Sequence, residues 1–256
     1  MIDLNQYQDF LPLVSGFLGG ATSAGLFTGP IQTLQDWWYV NYGHNLSDQK
    51  AYLIAKQEAN VEQLKHDILQ NVSTIPPENI QEPSIKVLGP AIEASRYYIE
   101  EKELRDMFAK IIASSLDDRK NNELHSSFVE IIKQLDVLDA KIVKHLSEMN
   151  YHPASPIPAM KMIIKSDGGY KVIFPLIYFI EPYQSINDCA PSLYNLERLG
   201  IIQIESGVYA ADETLYTEIE NNTLVQHALK NHPEITLEKM SFSITPFGKN
   251  FISICA

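Results

Sequence analysis

The chain of 256 residues is poor in the residues that announce chemistry. It has two cysteines, Cys189 and Cys255, far apart and in no metal-binding or redox spacing. Two free thiols in a chain this long suit a reducing compartment, so the expected location is cytoplasmic. None of the seven histidines (His44, His66, His125, His145, His152, His227, His232) stands four residues from another, and there is no His-Glu-x-x-His. No Gly-x-x-x-x-Gly-Lys phosphate loop and no Gly-x-Ser-x-Gly nucleophile elbow occurs. No cofactor or metal is therefore expected, and no catalytic residue is assigned. Basic charge is scarce as well. Twenty Lys and Arg stand against thirty-two Asp and Glu, a net of -12. Phosphate contacts need clustered cations, so this balance argues against nucleic acid as a general partner.

Charge is absent altogether from Phe10 to Gln35, "FLPLVSGFLGGATSAGLFTGPIQTLQ". The stretch holds Gly16-x-x-x-Gly20 and Gly25-x-x-x-Gly29, the small-residue spacing that lets helices approach closely in membranes. A spanning helix needs about 20 predominantly apolar residues. Gly, Ser, Thr and Pro dilute this one below that mark. A buried or interfacial segment is expected, with membrane contact through residues 10–35, peripheral to the inner membrane, as the rival. The N-terminus "MIDLNQYQDF" carries acid where a secretory signal would carry base.

What is present is mainly helix. Ile31, Leu34, Trp37, Trp38 and Tyr42 recur at three- and four-residue steps and share a face. "DQKAYLIAKQEANVEQLKHDILQNV" reads as a long helix capped by Ser47 or Asp48. "TIPPENIQEP" is a loop, with Pro83 as a first-turn proline for the next helix. Residues 84–117 give one or two more helices, with Leu104, Met107, Phe108, Ile111, Ile112 and Leu116 as the apolar stripe. "HSSFVEIIKQL" is another, with Ser126 as its cap.

After about residue 133 the character changes. "DVLDAKIVKHLSEM" is a helix capped by Asp136, "YHPASPIPAM" a connector, and "GGYKVIFPLIYFIEP" a strand. "SLYNLERLGIIQI" reads as a helix that stops at Gly200 and enters a strand, with Leu193, Leu196, Leu199 and Ile201 facing inward. "IIQI" and "GVYA" look like a hairpin about Glu205-Ser206-Gly207. A polar helix, a returning strand "ITLEKMSFSI" and a final helix capped by Thr245 follow. The expected fold class is mainly α (α+β): a helical region, 1–133, and a winged-helix-like module with a small antiparallel sheet, 134–256. In that module the helix ending at Leu199 would be the recognition helix.

Three blocks together resemble a known family. They are "GPAIEASRYYIEEKELRDMFAKIIASSLDD" (89–118), "HSSFVEIIKQLDVLDAKIVKHL" (125–146), and the pair "LERLGIIQI" and "SITPFGKNFISIC". The first two are similar to the core helices, and the pair to the closing Leu-Gly and Thr-Pro-Phe-Gly signatures, of the Abi-alpha family of bacterial proteins linked to abortive phage infection. The resemblance implies a role in phage defence or host-cell shutdown and carries over no catalytic residues.

The remaining candidates are few. The carboxylates Glu100, Glu101, Glu103 and Asp106, and Asp117 with Asp118, sit among Lys102, Arg105, Arg119 and Lys120, so a solvated charged face is expected. Asp117 and Asp118 are the better catalytic candidates because they follow a helix end. Asn195 and Arg198 could read base edges, although Glu197 would face phosphates. The interaction residues expected are Trp37, Trp38, Tyr42, Asn195 and Arg198, aromatics being the usual anchors of binding surfaces. The function expected is non-enzymatic phage defence through contact with a phage or host protein, with homo-oligomerisation as a companion. A membrane-acting effector and a DNA-binding regulator are the alternatives.

Overall fold

The computed structural model describes residues 47–149, 155–182, 184–205 and 207–256. Trp37, Trp38, Tyr42 and the charge-free stretch 10–35 lie outside the described residues. The fold is α+β. Its contacts divide into two units, Met1–Lys133 with Cys255 and Gln134–Ile254 with Ala256.

The first unit is helical. Helix α1, Ser47–Val72, buries Leu64, Ile68 and Val72, one residue per turn on a single stripe. Helices α2 (Ile85–Tyr98) and α3 (Lys102–Ser114) break at Ile99–Glu101. The expected stripe of α3 is buried throughout, with Phe108 and Ile111 at 0% exposure. Arg105 joins α3 to α1: its Nε donates to Asp67 at 3.0 Å with both side chains mostly covered, and its Nη1 donates to the Ile99 carbonyl. The short helix α4, Ser127–Ile132, is not capped by Ser126, which is itself in helical conformation. The ring Nδ1 of His125 accepts the Ser127 N–H instead (3.1 Å) and lies 2.6 Å from the Ser127 hydroxyl. Pro83 stands just ahead of the N-cap Ser84 and not in the first turn of α2.

The second unit opens with α5, Val137–Glu148, followed by a hairpin of β1 (Ile157–Ser166) and β2 (Gly169–Ile177). The hairpin turns at Asp167-Gly168, where Gly168 takes φ +100, a value costly to any side chain. The proline-rich stretch expected as a connector runs into β1 from Ile157. Pro158 is tolerated because β2 pairs only from Met160 onward, so its missing N–H costs no bond on that side. Helix α6, Cys189–Arg198, then leads into β3, Ile202–Glu205. Residues 213–231 form a 3-10 turn (Glu213–Tyr216) and two short helices, α7 (Thr217–Glu220) and α8 (Thr223–Asn231). Strand β4, Ile235–Ile244, and helix α9, Pro246–Cys255, complete the chain.

The sheet order is β2-β1-β4-β3, antiparallel throughout. The hairpin expected between "IIQI" and "GVYA" does not form. Strand β3 pairs with β4, Ile202 opposite Ile244 and Glu205 opposite Ser241. "GVYA" is not a strand because its backbone is engaged elsewhere. Val208 O accepts from the Ser241 hydroxyl, and Ala210 N donates to the Tyr216 hydroxyl. One face of the sheet packs Met160 and Met162 against Tyr216, Ile219 and Val225 of the β3–β4 insertion. On the other, Phe242 meets Tyr178 edge-on at 5.1 Å.

The turn after α6 sets the geometry of this unit. Gly200 sits at φ +76 just past the helix end. Gly200 N donates to Glu197 O and Ile201 N to Leu196 O, the paired bonds of a Schellman stop. Thr245, the N-cap of α9, accepts from Gly248 N and donates through its hydroxyl to Gly200 O, while its own N–H reaches Ile201 O. A Cβ at Gly248 would lie 1.9 Å from Ile201 O. The clash is with backbone, which cannot rotate away. Gly248→Ala is therefore expected to destabilise the protein by about 3 kcal/mol or more; a chemical-denaturation midpoint unchanged from the parent would refute this close approach.

Candidate functional site

Asn195 and Arg198 lie on α6 and face the start of α5. Asn195 Nδ2 donates to Gln134 O at 3.0 Å and to Asp139 Oδ2 at 2.7 Å. Its Oδ1 accepts from Arg198 Nε at 3.1 Å and Nη2 at 2.7 Å. Arg198 Nη1 donates to Gln134 Oε1. A side-chain amide offers two donor hydrogens and two acceptor positions, so the amide of Asn195 is fully committed. The Asp139 carboxylate, only 2% exposed, also accepts from Asp136 N and thereby closes the first turn of α5. The two residues read from sequence as base readers thus form a clasp between helices. Glu197, the neighbour that would face phosphates, accepts from Ile204 N and anchors β3. Leu193, Leu196 and Ile201 are buried as expected, and Leu199 is half-buried.

Asp117 and Asp118 are likewise engaged. Asp117 Oδ1 accepts from Arg119 N (3.1 Å) and Nε (2.8 Å), and Oδ2 from Nη2 (2.6 Å). Asp118 accepts from Asn79 Nδ2, and the amides of Gln81 and Asn121 exchange bonds at 2.7 and 3.0 Å. Ile80 bridges Asp117, so these bonds zip the 76–81 loop onto the end of α3. In the other carboxylate group, Glu100 pairs with Lys56 at 2.7 Å. Burial, with Asp67 adding to it, pushes Asp106 above the ordinary carboxylate value. No group of three or more potential metal ligands occurs among the described residues. Burial raises the thiols of Cys189 and Cys255, which keeps both protonated and unreactive.

Two exposed surfaces of the second unit were not singled out by sequence. One is the tip of the β1–β2 hairpin, where Tyr170 and Val172 stand exposed beside Lys165 and Lys171. The other is the segment 207–220, held on β4 by Ser241, by the Lys239–Glu213 ion pair and by the buried Tyr216, whose hydroxyl donates to Met240 O. It displays Val208, Tyr209 and Leu215 among Asp212, Glu213 and Glu218. Alternation of polar and apolar residues could have flagged the hairpin. The second surface has no local signature, because it depends on anchors thirty residues away.

The chain belongs to the abortive infection alpha (Abi_alpha) family, whose model matches residues 56–255. Comparisons with curated proteins and with solved structures gave no match. The pair of closing signatures, "LERLGIIQI" and "TPFGKN", is one structural joint, the contact of Gly200 and Ile201 with Thr245 and Gly248.

Two predictions follow from these networks. Asn195→Ala leaves the buried Asp139 carboxylate with one donor fewer and is expected to cost about 2 kcal/mol in denaturant unfolding. Arg198→Ala, at an exposed position, should cost about 0.5 kcal/mol; equal costs for both would show that the clasp is not centred on the amide. The Arg119 guanidinium holds the Asp117 carboxyl below its ordinary 3.8. Its contribution is present above that ordinary value and lost as pH falls through the depressed one. Arg119→Met is expected to raise the Asp117 titration, followed by carboxyl carbon NMR, and to start the acid loss of stability at a higher pH. An unmoved titration would contradict the pairing.

Proposed function

We propose that this protein acts in abortive-infection-type phage defence by binding a phage or host protein, without catalysing a reaction and without a cofactor. The membership of residues 56–255 in the abortive infection alpha family carries this reading. The commitment of Asp117, Asp118, Asn195 and Arg198 to internal bonds supports it, since the candidate acids and base readers have structural work. We read the second unit as winged-helix-like. The feed of α6 through Gly200 into β3, and the neighbouring strands β1-β4-β3, support that architecture. Residues 134–256 carry nine Lys or Arg and fourteen Asp or Glu, a net of -5 that favours a scaffold over a DNA reader. Trp37, Trp38 and Tyr42 are the proposed anchors for the partner.

A cytoplasmic location accords with this reading. No helix among the described residues is long and apolar enough to cross a membrane. The charge-free stretch 10–35 favours a second reading, a membrane-acting effector at the inner membrane.

Expression in a phage-sensitive bacterium is expected to lower plaque counts, with infected cells dying at high phage multiplicity. Trp37→Ala with Trp38→Ala should abolish the protection while leaving the far-UV circular dichroism intact. Protection unaffected by that double substitution would overturn the proposed anchor. Fractionation after phage challenge separates the two readings: the protein-binding reading expects the chain in the soluble fraction, the membrane reading in the pellet. A shift of random or upstream DNA in a low-salt gel would instead revive the DNA-binding alternative.

A further inference from the structure

Of the twelve glycines in the chain, one follows an aspartate and none follows an asparagine, so Asp167-Gly168 is the single Asp-Gly or Asn-Gly step. The fold places it at the two-residue tip of the β1–β2 hairpin, beyond the last ladder pair, Ser166 with Gly169. Both residues are exposed. A Cβ built on Gly168 or Gly169 would meet nothing within 4 Å, so the tip stands in open space. Among the described residues no hydrogen bond or ion pair engages the Asp167 carboxylate, and none takes up the Gly168 N–H.

The other described aspartates are placed differently. Asp67, Asp106 and Asp139 lie inside helices, where the ladder holds the backbone N–H that follows each of them. The rest have engaged carboxylates: Asp117 with Arg119, Asp118 with Asn79, Asp136 with the start of its own helix, Asp188 with the Gln184 and Ser185 N–H groups, and Asp212 with Thr214. At Asp167 an unpartnered carboxyl stands next to an unbonded amide nitrogen. The following residue has no side chain to crowd their approach. That is the arrangement from which a five-membered imide closes.

We propose that Asp167 is a site of spontaneous isoaspartate formation, with water as the only co-reactant. The Gly168 nitrogen attacks Asp167 Cγ while the carboxyl is in its protonated form. A C–N bond forms, a C–O bond of the carboxyl breaks, and the amide hydrogen and the carboxyl OH leave together as water. Water then opens the imide. Opening at Cγ restores aspartate. Opening at the main-chain carbonyl leaves Gly168 joined through Cγ, which is the isoaspartyl linkage. Nothing is oxidised or reduced, and the chain keeps its mass. The backbone path gains one carbon, and the free carboxylate moves to the α carbon. Loop length fixes register in a hairpin, so the Ser166–Gly169 and Lys165–Tyr170 pairs part. The Tyr170 ring then leaves the Lys161 ammonium, which stands 5.2 Å from its centroid. Conversion thus turns the ordered, tyrosine-bearing tip into a frayed one. This rests on the hairpin alone and is independent of the defence reading.

Ageing the folded full chain at neutral pH in heavy-oxygen water, followed by tryptic digestion in ordinary water, tests it. The peptide Ser166–Lys171 is expected to gain heavy oxygen. Electron-transfer fragmentation should place the β-linkage at Asp167, and a carboxyl methyltransferase specific for isoaspartate should methylate that peptide. Peptides carrying the other described aspartates should stay unlabelled. Asp167→Glu should abolish the labelling, because its imide would need a six-membered ring. Asp167→Asn should convert faster and with loss of ammonia, which departs more readily than water. In the converted fraction, cross-strand NMR contacts of Ser166 with Gly169 should be lost while those of Met160 with Ile177 persist. A folded chain that leaves Ser166–Lys171 unlabelled, while the same sequence as a free peptide becomes labelled, would overturn the proposal. Label spread equally over the other aspartates would do the same, and a converted chain that keeps the Ser166–Gly169 contact would refute the fraying.

Discussion

The approach of Gly248 to the backbone of Ile201 is the constraint around which the second unit is arranged. Helix α9 can begin against the α6–β3 turn only if its third residue has no side chain, because a Cβ would sit 1.9 Å from the Ile201 carbonyl. Thr245 uses the contact fully. Its hydroxyl receives the Gly248 N–H and returns a hydrogen to Gly200, and its N–H serves Ile201 O. Orphan donors at the start of one helix and carbonyls at the end of another are thereby satisfied together. Once this joint closes, β4 must run alongside β3, since Ile244 and Ile202 are the adjoining residues of the two strands. The chain between Glu205 and Ile235 is then free to leave as an insertion.

This dependence explains what was and was not legible in the sequence. Helices α1, α3, α5, α6 and α9 declare themselves through 3.6-residue periodicity and local signals, and Thr245-Pro246 and Gly200 mark their ends correctly. Periodicity is a local property, and these elements obey it. The pairing of β3 is not local. "GVYA" has the composition of a strand and the right distance from "IIQI", yet it loses to a β4 that offers ten residues and two flanking neighbours. Strand β1 was hidden by Pro158, which reads as a breaker unless it is known that β2 stops short of it. The polar stretch 117–121 could be read as a charged loop, but not as a zipper in which Asp118 accepts from Asn79 and Asn121 exchanges bonds with Gln81, thirty-nine and forty residues away.

The clasp at Asn195 shows how a side chain that suits recognition becomes architecture. A recognition helix needs Asn or Arg whose polar atoms are free to meet bases. Here Asp139, buried and ionisable, sits at the foot of α5, and a buried carboxylate without donors is costly. Asn195 supplies a donor at 2.7 Å, and Arg198 completes the amide on its other side. Releasing either residue to a nucleic acid would return part of that cost. The hydrogen-bonding need of the buried Asp139 side chain thus occupies the Asn195 amide of α6.

The same accounting directs attention to the groups that are not consumed. In the second unit the buried polar atoms close on one another, and the acids and bases of the helical clasp are spent. Five of the six large exposed hydrophobic side chains described in the second unit stand at the hairpin tip and on the insertion, with Tyr194 of α6 as the sixth. A strand edge of this length would ordinarily invite pairing with any neighbour. Pro175, placed in β2 between the Phe174 and Ile177 pairings where the register shifts, removes a donor from that edge and blunts it. What remains available on β2 is its tip, where side chains rather than backbone make the contact. Side-chain contacts discriminate among partners by charge and shape, whereas an open edge does not.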